Sequence, residues 1–201
     1  MKVVKGKSLG KIESFTLYKG CSFYFREDYC YETKGSSFEH CSFRSNVAFC
    51  SLEGCKFDNC GFSGELEVIL CSQYLKELPT EIWQLPNLTF LNLSSNLLTK
   101  LPSKINLLSN VTSLSLSYNE LTELPPEIGG LSSLTSLNLS YNKFIKLPPE
   151  IGKLSNLREL YLSGNKFENL KMIEKYLPNC KITNTNPRSN FSNDNPTTWI
   201  G

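Results

Sequence analysis

Residues 88–121 read LTFLNLSSNLLTKLPSKINLLSNVTSLSLSYNEL, and their pattern of leucines around an asparagine decides how this chain folds. The asparagine recurs at constant intervals, at Asn96, Asn119, Asn142 and Asn165, each time within the frame LxxLxLxxNxL. A fixed period of this length is the sequence signature of a protein built from stacked structural repeats. Each repeat contacts only its neighbours, so the core grows in one dimension as units are added.

Each 23-residue unit is predicted to contain a short strand, a tight turn and a return segment. Alternating leucines such as Leu91 and Leu93 predict a strand with one buried face. The asparagine carries both a donor and an acceptor, so we expect the four asparagines to form a structural ladder that bonds main-chain groups. Leu-Pro then ends the strand, as at Leu101-Pro102. Gly129 and Gly152 are predicted to supply permissive turns in the return segment.

The unit LPxEIxxLxxLxxLxLxxNxL resembles the 23-residue leucine-rich repeats of Ras-group and scaffold-type intracellular proteins and of many bacterial proteins. The resemblance covers about residues 66–182. It implies an α/β-type repeat solenoid, a right-handed superhelix whose parallel sheet forms a concave, partner-binding face. It does not identify the partner.

Both ends of the repeat array depart from the consensus. Gln73 stands where the asparagine belongs in a degenerate first unit, and residues 170–177 predict a short amphipathic helix followed by a strand at 180–182. A solenoid end exposes core unless it is capped, so the helical segment is predicted to be a C-terminal cap. These limits place the leucine-rich repeats at 65–182 and a flexible polar tail at 183–201.

Residues 1–64 are predicted to be a β-rich, cysteine-containing N-terminal region, either a cap or a coaxial β-solenoid extension. Seven of the eight cysteines lie before residue 72, and the units at 36–64, such as Cys41-Ser-Phe43 and Cys60-Gly-Phe62, pair a small residue with an aromatic one. They resemble pentapeptide repeats, although the A-D/N-L-x-x consensus is absent. Three interpretations remain open: buried thiols that pack as small hydrophobes, a zinc site involving His40, or a disulfide framework. Because no C-x-x-C occurs, packing is favoured and no metal site or cofactor is predicted.

Strand positions between the buried leucines are predicted to face a protein partner. Interface hot spots favour aromatic residues and arginine, whereas the middle of this face is rich in serine. The candidate binding residues are Phe90, Asn92, Tyr118, Asn138, Tyr141, Arg158, Glu159 and Tyr161. Five strands at ~4.8 Å spacing give a face of roughly 400 Å², which is about half of what one partner buries in a standard interface.

Other functional classes find little support in the sequence. A net charge of +2 without a basic stripe argues against nucleic-acid binding, and no apolar segment is long enough to span a membrane. No secretory signal is recognisable, so a cytoplasmic location is expected. Gly6-Lys7-Ser8 lacks the rest of a phosphate-binding loop, and the single histidine, His40, supports no catalytic dyad.

The sequence therefore predicts a non-enzymatic protein-interaction module whose oligomeric state is open. The alternatives are a regulator that binds a small GTPase or signalling enzyme, and an extracellular adhesion protein with disulfides.

Overall fold

The fold was determined from a computed structural model, which describes residues 2–6, 8–9, 12–23, 30–44, 46–85 and 87–185. Most of the predicted tail, from residue 186 onwards, lies outside these residues.

Short parallel strands account for nearly all regular structure in the N-terminal part. The strands are β1 Lys2–Lys5, β2 Ser8–Leu9, β3 Thr16–Lys19, β4 Ser22–Phe23, β5 Cys30–Glu32, β6 Ser37–Glu39, β7 Ser42–Phe43, β8 Val47–Ser51, β9 Lys56–Asp58, β10 Gly61–Phe62 and β11 Leu66–Ile69. They wind into coils with three sides. Tyr18 pairs with Phe38 in the following coil, and Phe38 pairs in turn with Phe57 in the coil after that.

The first two sides of these coils form separate four-stranded sheets, ordered β1-β3-β6-β9 and β10-β7-β4-β2. The predicted small-x-aromatic units occupy these two sides. Phe43 and Phe62 end paired strands, with Cys41 and Cys60 directly before them. The resemblance to pentapeptide repeats stays a prediction, although the coils provide the parallel stacking that it implies.

The third side of each coil belongs to one sheet that continues through the leucine-rich repeats. The later strands are β12 Leu88–Asn92, β13 Ser113–Ser115, β14 Ser136–Asn138, β15 Glu159–Tyr161 and β16 Lys181–Thr183. The order of this eight-stranded sheet is β16-β15-β14-β13-β12-β11-β8-β5. It crosses the predicted boundary at residue 64 without a break, because β11 pairs with both β8 and β12. The sheet thus has eight strands, whereas the area of the binding face was estimated from five.

Return segments of the 23-residue units form 3₁₀ helices on the side opposite the sheet. They span Thr80–Gln84, Ser103–Leu107, Pro126–Gly130 and Pro149–Lys153. A proline precedes each helix in extended conformation, for example Pro102 with ψ of 153°. The isoleucine of each segment, such as Ile105 or Ile128, is fully buried. The constant spacing therefore places one apolar anchor per unit against the core.

The two glycines that were predicted to supply permissive turns, Gly129 and Gly152, have a different role. Gly129 lies outside the left-handed region, but a Cβ built on it would stand 2.7 Å from the carbonyl oxygen of Glu150 in the next unit. Neighbouring Gly130 would meet Asn106 at 2.8 Å, and Gly152 would approach Tyr176 at 3.2 Å. These glycines are required because adjacent 3₁₀ helices pack closely, not because the backbone needs unusual angles.

A single hydrophobic core runs from Tyr18 to Leu177 along the solenoid axis. At its N-terminal end aromatic rings stack coil upon coil, with Phe23, Phe43 and Phe62 at successive centroid distances of 4.9 and 4.6 Å. Leucines replace them in the later units. At the other end the helix α1 Lys171–Tyr176 and strand β16 agree with the expected cap, since Ile173 and Leu177 are buried there.

Candidate protein-binding face

The outer face of the eight-stranded sheet presents two rows of side chains that point away from the core. Residues of one row are aligned across β11 to β16 by strand pairing, and those of the second row lie two positions further on. The first row contains Glu67, Phe90, Ser113, Ser136, Glu159 and Lys181; the second contains Ile69, Asn92, Ser115, Asn138, Tyr161 and Thr183. The predicted residues Phe90, Asn92, Asn138, Glu159 and Tyr161 are thus brought together.

Hydrogen bonds within the face orient its asparagines. The side-chain oxygen of Asn92 accepts hydrogen bonds from the backbone and hydroxyl of Ser94, at 3.0 and 2.6 Å. The oxygen of Asn138 accepts one from the Ser140 backbone at 3.0 Å. Both amide nitrogens donate to no other residue in the described part of the chain. They are therefore held in a fixed direction with their donors available to a partner.

Tyr161 and Glu159 form a second polar pair on the face. The Tyr161 hydroxyl donates a hydrogen bond of 3.0 Å to Glu159 Oε2. Burial and this carboxylate raise the pKa of Tyr161, so its phenol stays neutral. Glu67 lies at the other end of the first row from Glu159 and Lys181. Burial and the nearby Glu65 raise the pKa of Glu67. The ends of the face carry charge and its centre is neutral.

Tyr118 and Tyr141 lie at the edge of the face, in the turns that follow their strands. Both have left-handed backbones, with φ of 54° and 55°, and their rings stack at a centroid distance of 4.3 Å. The stack ends on Gly164, where a Cβ would stand 2.6 Å from the Tyr141 ring. The side chains remain 55% and 38% exposed. They therefore form a ladder that covers the turns and also offers an aromatic surface.

Arg158 lies at the entrance of β15, one residue before the face. The equivalent positions in earlier units are Thr89, Thr112 and Thr135, whose hydroxyls donate to the preceding unit, for example Thr135 to the Thr112 carbonyl at 2.9 Å. Arg158 instead extends towards solvent and donates to the Ser155 carbonyl at 3.4 Å. It stands on the rim, where a long cation can contact a partner laid on the sheet.

The repeated asparagines sit beneath the face and hold its turns. Asn119 Nδ2 donates to the carbonyls of Leu93 and Leu116 at 2.9 and 3.1 Å, and its Oδ1 accepts from Leu98 N at 3.0 Å. Asn96, Asn142 and Asn165 make equivalent contacts. Gln73 in the degenerate unit donates to the Cys50 carbonyl, so a longer amide reaches back across the junction. These bonds satisfy buried peptide groups and fix the position of the neighbouring binding residues.

A depression that was not predicted from the sequence lies beside the junction of the two coil types. It has a volume of about 630 Å³ and is open to solvent. Phe62, Ser63 and Gly64 form one wall, and Asn46, Asn87 and Thr89 contribute polar groups. The depression lies where the β10-β7-β4-β2 sheet ends. Phenylalanine recurs at 23, 43 and 62 but not in the following unit. The end of this series could have indicated where the sheet stops and the depression begins.

Cysteines of the N-terminal coils were predicted to pack as small hydrophobes. Cys21, Cys41 and Cys55 are buried, and Cys50, Cys60, Cys71 and Cys180 are partly exposed; none of these seven described cysteines forms a disulfide. Among the described residues there is no group of three or more histidine, cysteine or acidic side chains arranged to hold a metal ion. The described residues also include no helix long and apolar enough to cross a membrane.

Stacked strands, a ladder of buried asparagines and 3₁₀ return segments define a repeat solenoid of the leucine-rich class. The family model for leucine rich repeats matches residues 109–167, so this part of the chain carries leucine-rich repeats. It is similar in structure to a leucine-rich-repeat protein of Leptospira interrogans, with 26% sequence identity and a TM-score of 0.54, covering 86% of this chain. This chain spans 48% of the Leptospira protein.

A second similar structure is the ectodomain of BIR2 from Arabidopsis thaliana, with 28% identity and a TM-score of 0.43, covering 49% of this chain and 66% of that one. Among curated proteins, none matches the sequence. The leucine-rich repeats at 109–167 and the similarity to the Leptospira protein support a protein-interaction module.

Proposed function

We propose that this protein is a non-catalytic interaction module that binds another protein on the outer face of its eight-stranded sheet. Leucine-rich repeats are generally non-catalytic. The repeated leucines and asparagines are buried and serve to hold the fold together. The observation that carries the proposal is the oriented set of outward side chains. Phe90, Tyr118, Tyr141 and Tyr161 supply aromatic contacts, and Asn92 and Asn138 supply directed donors.

The length of the sheet makes such binding physically reasonable. Eight strands at ~4.8 Å spacing extend about 38 Å along the solenoid axis. With a width of ~17 Å this face measures about 650 Å², compared with about 800 Å² per partner in a standard interface. Strands β5 and β8 of the N-terminal coils therefore supply part of the area that the leucine-rich repeats lack. Arg158 and the tyrosine turns extend the surface at its rim.

We further propose that residues 1–64 act as an extension of the binding scaffold, residues 65–182 as its leucine-rich-repeat part, and 183–201 as a polar tail. A cytoplasmic location accompanies this proposal, because a reducing compartment keeps thiols free. Counting thiols in unreduced, denatured protein separates this location from the extracellular alternative. Eight reactive thiols per chain are expected, whereas four or fewer would indicate a disulfide framework.

Capture of partners from the native host tests the binding face. A variant with Phe90, Tyr118, Tyr141 and Tyr161 all changed to Ala should lose specific partners that the wild type retains. The matched control changes Leu107 and Ile145 to Ala, since both are exposed apolar residues, at 61% and 57%, outside the sheet. Circular dichroism must show that both variants are folded. An identical partner set for wild type and the four-residue variant would rule out the assigned face.

A further inference from the structure

Three cysteines occupy equivalent positions on consecutive N-terminal coils. Cys21, Cys41 and Cys60 each precede a strand of the β10-β7-β4-β2 sheet, and the residues that follow them, Ser22, Ser42 and Gly61, pair in register. Strands in a sheet lie ~4.8 Å apart, which falls inside the range of Cα separations, roughly 4.4–6.8 Å, that a disulfide can bridge. The coils therefore align the three thiols in a column.

Within this column Cys41 and Cys60 are neighbours, because the residues that follow them pair across adjacent strands. Each thiol donates to a carbonyl of the preceding coil, Cys41 to Tyr18 at 3.5 Å and Cys60 to Phe38 at 3.3 Å. Cys41 is 1% exposed, whereas Cys60 is only half-buried because no further cysteine stacks on it. One sulfur of the pair is thus accessible to a small reagent and the other lies directly behind it.

Ionisation distinguishes this pair from other cysteines. The neighbouring Cys60 side chain lowers the pKa of Cys41 to about 7, although burial opposes the shift, while Cys41 and burial raise the pKa of Cys60. Burial raises the pKa of both Cys55 and Cys180, which keeps those thiols protonated. Thiolates, not thiols, are the nucleophiles in oxidation chemistry. Near neutral pH the Cys41 and Cys60 pair holds a single shared proton for much of the time.

We propose that Cys41 and Cys60 form an oxidation site that a hydroperoxide converts to an intramolecular disulfide. The Cys41 thiolate takes the proton of the half-buried Cys60, and the Cys60 sulfur attacks the terminal oxygen of the hydroperoxide. The O–O bond breaks, an alcohol or water leaves, and Cys60 becomes a sulfenic acid. Cys41 then loses its proton and attacks the Cys60 sulfur. The S–O bond breaks and water leaves, so two thiols and one hydroperoxide give one disulfide, one alcohol or water, and one further water.

Peptide mapping of the full-length chain tests this site. The protein is treated with hydrogen peroxide, unfolded in acid and alkylated, and then digested with trypsin. Cleavage after Lys34, Arg44, Lys56 and Lys76 isolates Cys41 in peptide 35–44 and Cys60 in peptide 57–76. A cross-linked pair of these peptides, two hydrogen masses lighter than their sum, is expected. Peptide 57–76 also contains Cys71, so the experiment is repeated with Cys71→Ser, which should leave the cross-link in place.

Two further variants separate the outcomes. Cys60→Ser removes the accessible sulfur and should abolish the cross-link, while Cys21→Ser at the far end of the column should retain it. Circular dichroism verifies that each variant is folded. The oxidised protein should also unfold several degrees higher than the reduced one, because the bond closes a loop of about 20 residues. Two results would overturn the proposal. One is oxidation of Cys180 while Cys41 and Cys60 stay reduced and are therefore alkylated; the other is a disulfide between Cys21 and Cys41.

Discussion

Replacing one asparagine of the ladder should destabilise the protein far more than replacing an asparagine on the face above it. Asn119 lies in the middle of the array and is 8% exposed. Its amide donates to Leu93, Leu116 and Ser117 carbonyls and accepts from Leu98 N–H, all in buried surroundings. Since an amide has two hydrogens, the side chain supplies about three full hydrogen bonds, worth roughly 1 kcal/mol each.

Asn119→Ala removes these bonds and leaves the buried Leu98 N–H without a partner, which costs about 1 kcal/mol more. The expected loss in free energy of unfolding is therefore about 3–4 kcal/mol. Asn138→Ala is the matched control, because the side chain accepts a single half-buried bond from Ser140 N. That variant should lose at most about 1 kcal/mol.

Urea unfolding followed by far-ultraviolet circular dichroism measures the difference. With a urea dependence near ~2–3 kcal/mol per molar, the midpoint should fall by about 1–2 M for Asn119→Ala and by under ~0.5 M for Asn138→Ala. Tryptophan fluorescence provides a second probe, because repeat proteins do not always unfold in one step. Equal midpoints for the two variants would refute the assignment of the ladder as the main polar support of the fold.

Three further predictions follow from backbone geometry, ring packing and charge. Gly164→Ala should lower stability by about 1–2 kcal/mol, since φ is 71° and a Cβ would meet the Tyr141 ring, whereas Gly61→Ala, with open space around it, should leave the thermal midpoint nearly unchanged. Phe38→Ala should cost about 3–5 kcal/mol in urea unfolding, because Phe38 is fully buried and stacks on Tyr18 and Phe57; a loss under ~1 kcal/mol would contradict the aromatic core. The pKa of Glu67 is raised by burial above its ordinary 4.5, so the folded state binds the proton more tightly than the unfolded state and stability declines as pH rises from about 4.5. Glu67→Gln should remove that part of the decline and unfold at higher urea than the wild type at pH 7 but not at pH 4; the same pH profile for both proteins would exclude Glu67 as its source.

The 23-residue units were predictable because each signal is local. Leu-x-Leu, the asparagine and Leu-Pro lie close together in the sequence and recur without a slip, so strands β12 to β15 and the positions of the return segments follow from spacing. The 3₁₀ conformation of those segments was not predicted. The N-terminal coils were harder to predict because their repeats align side chains that are far apart in the sequence and not at a constant interval, as for Tyr18, Phe38 and Phe57. Five-residue steps detect the sides of a coil but not which sides stack.

Continuity of the sheet could not be foreseen for the same reason. Pairing of β8 with β11 depends on two coils of different length meeting in register, and no local pattern encodes that meeting. Candidate face residues were identifiable because alternation fixes which side chains point outward. The proximity of Cys41 and Cys60 was not recognised, although the nearly equal intervals from Cys21 to Cys41 and from Cys41 to Cys60 contained the signal.

The asparagine ladder has a consequence for how this molecule can be lengthened. Each inner asparagine contacts two carbonyls of its own unit, one carbonyl of the unit before it and one N–H of that preceding unit. Asn142 makes these contacts with Leu139 and Ser140, with Leu116 and with Leu121. Duplicating any segment of one full 23-residue period inside the array restores every one of these pairings, wherever the cut is made. A duplication slightly shorter or longer than the period does not, because each amide would then face the wrong carbonyl. The asparagine ladder thus permits only insertions of whole repeats, and each inserted repeat adds one strand to the binding surface.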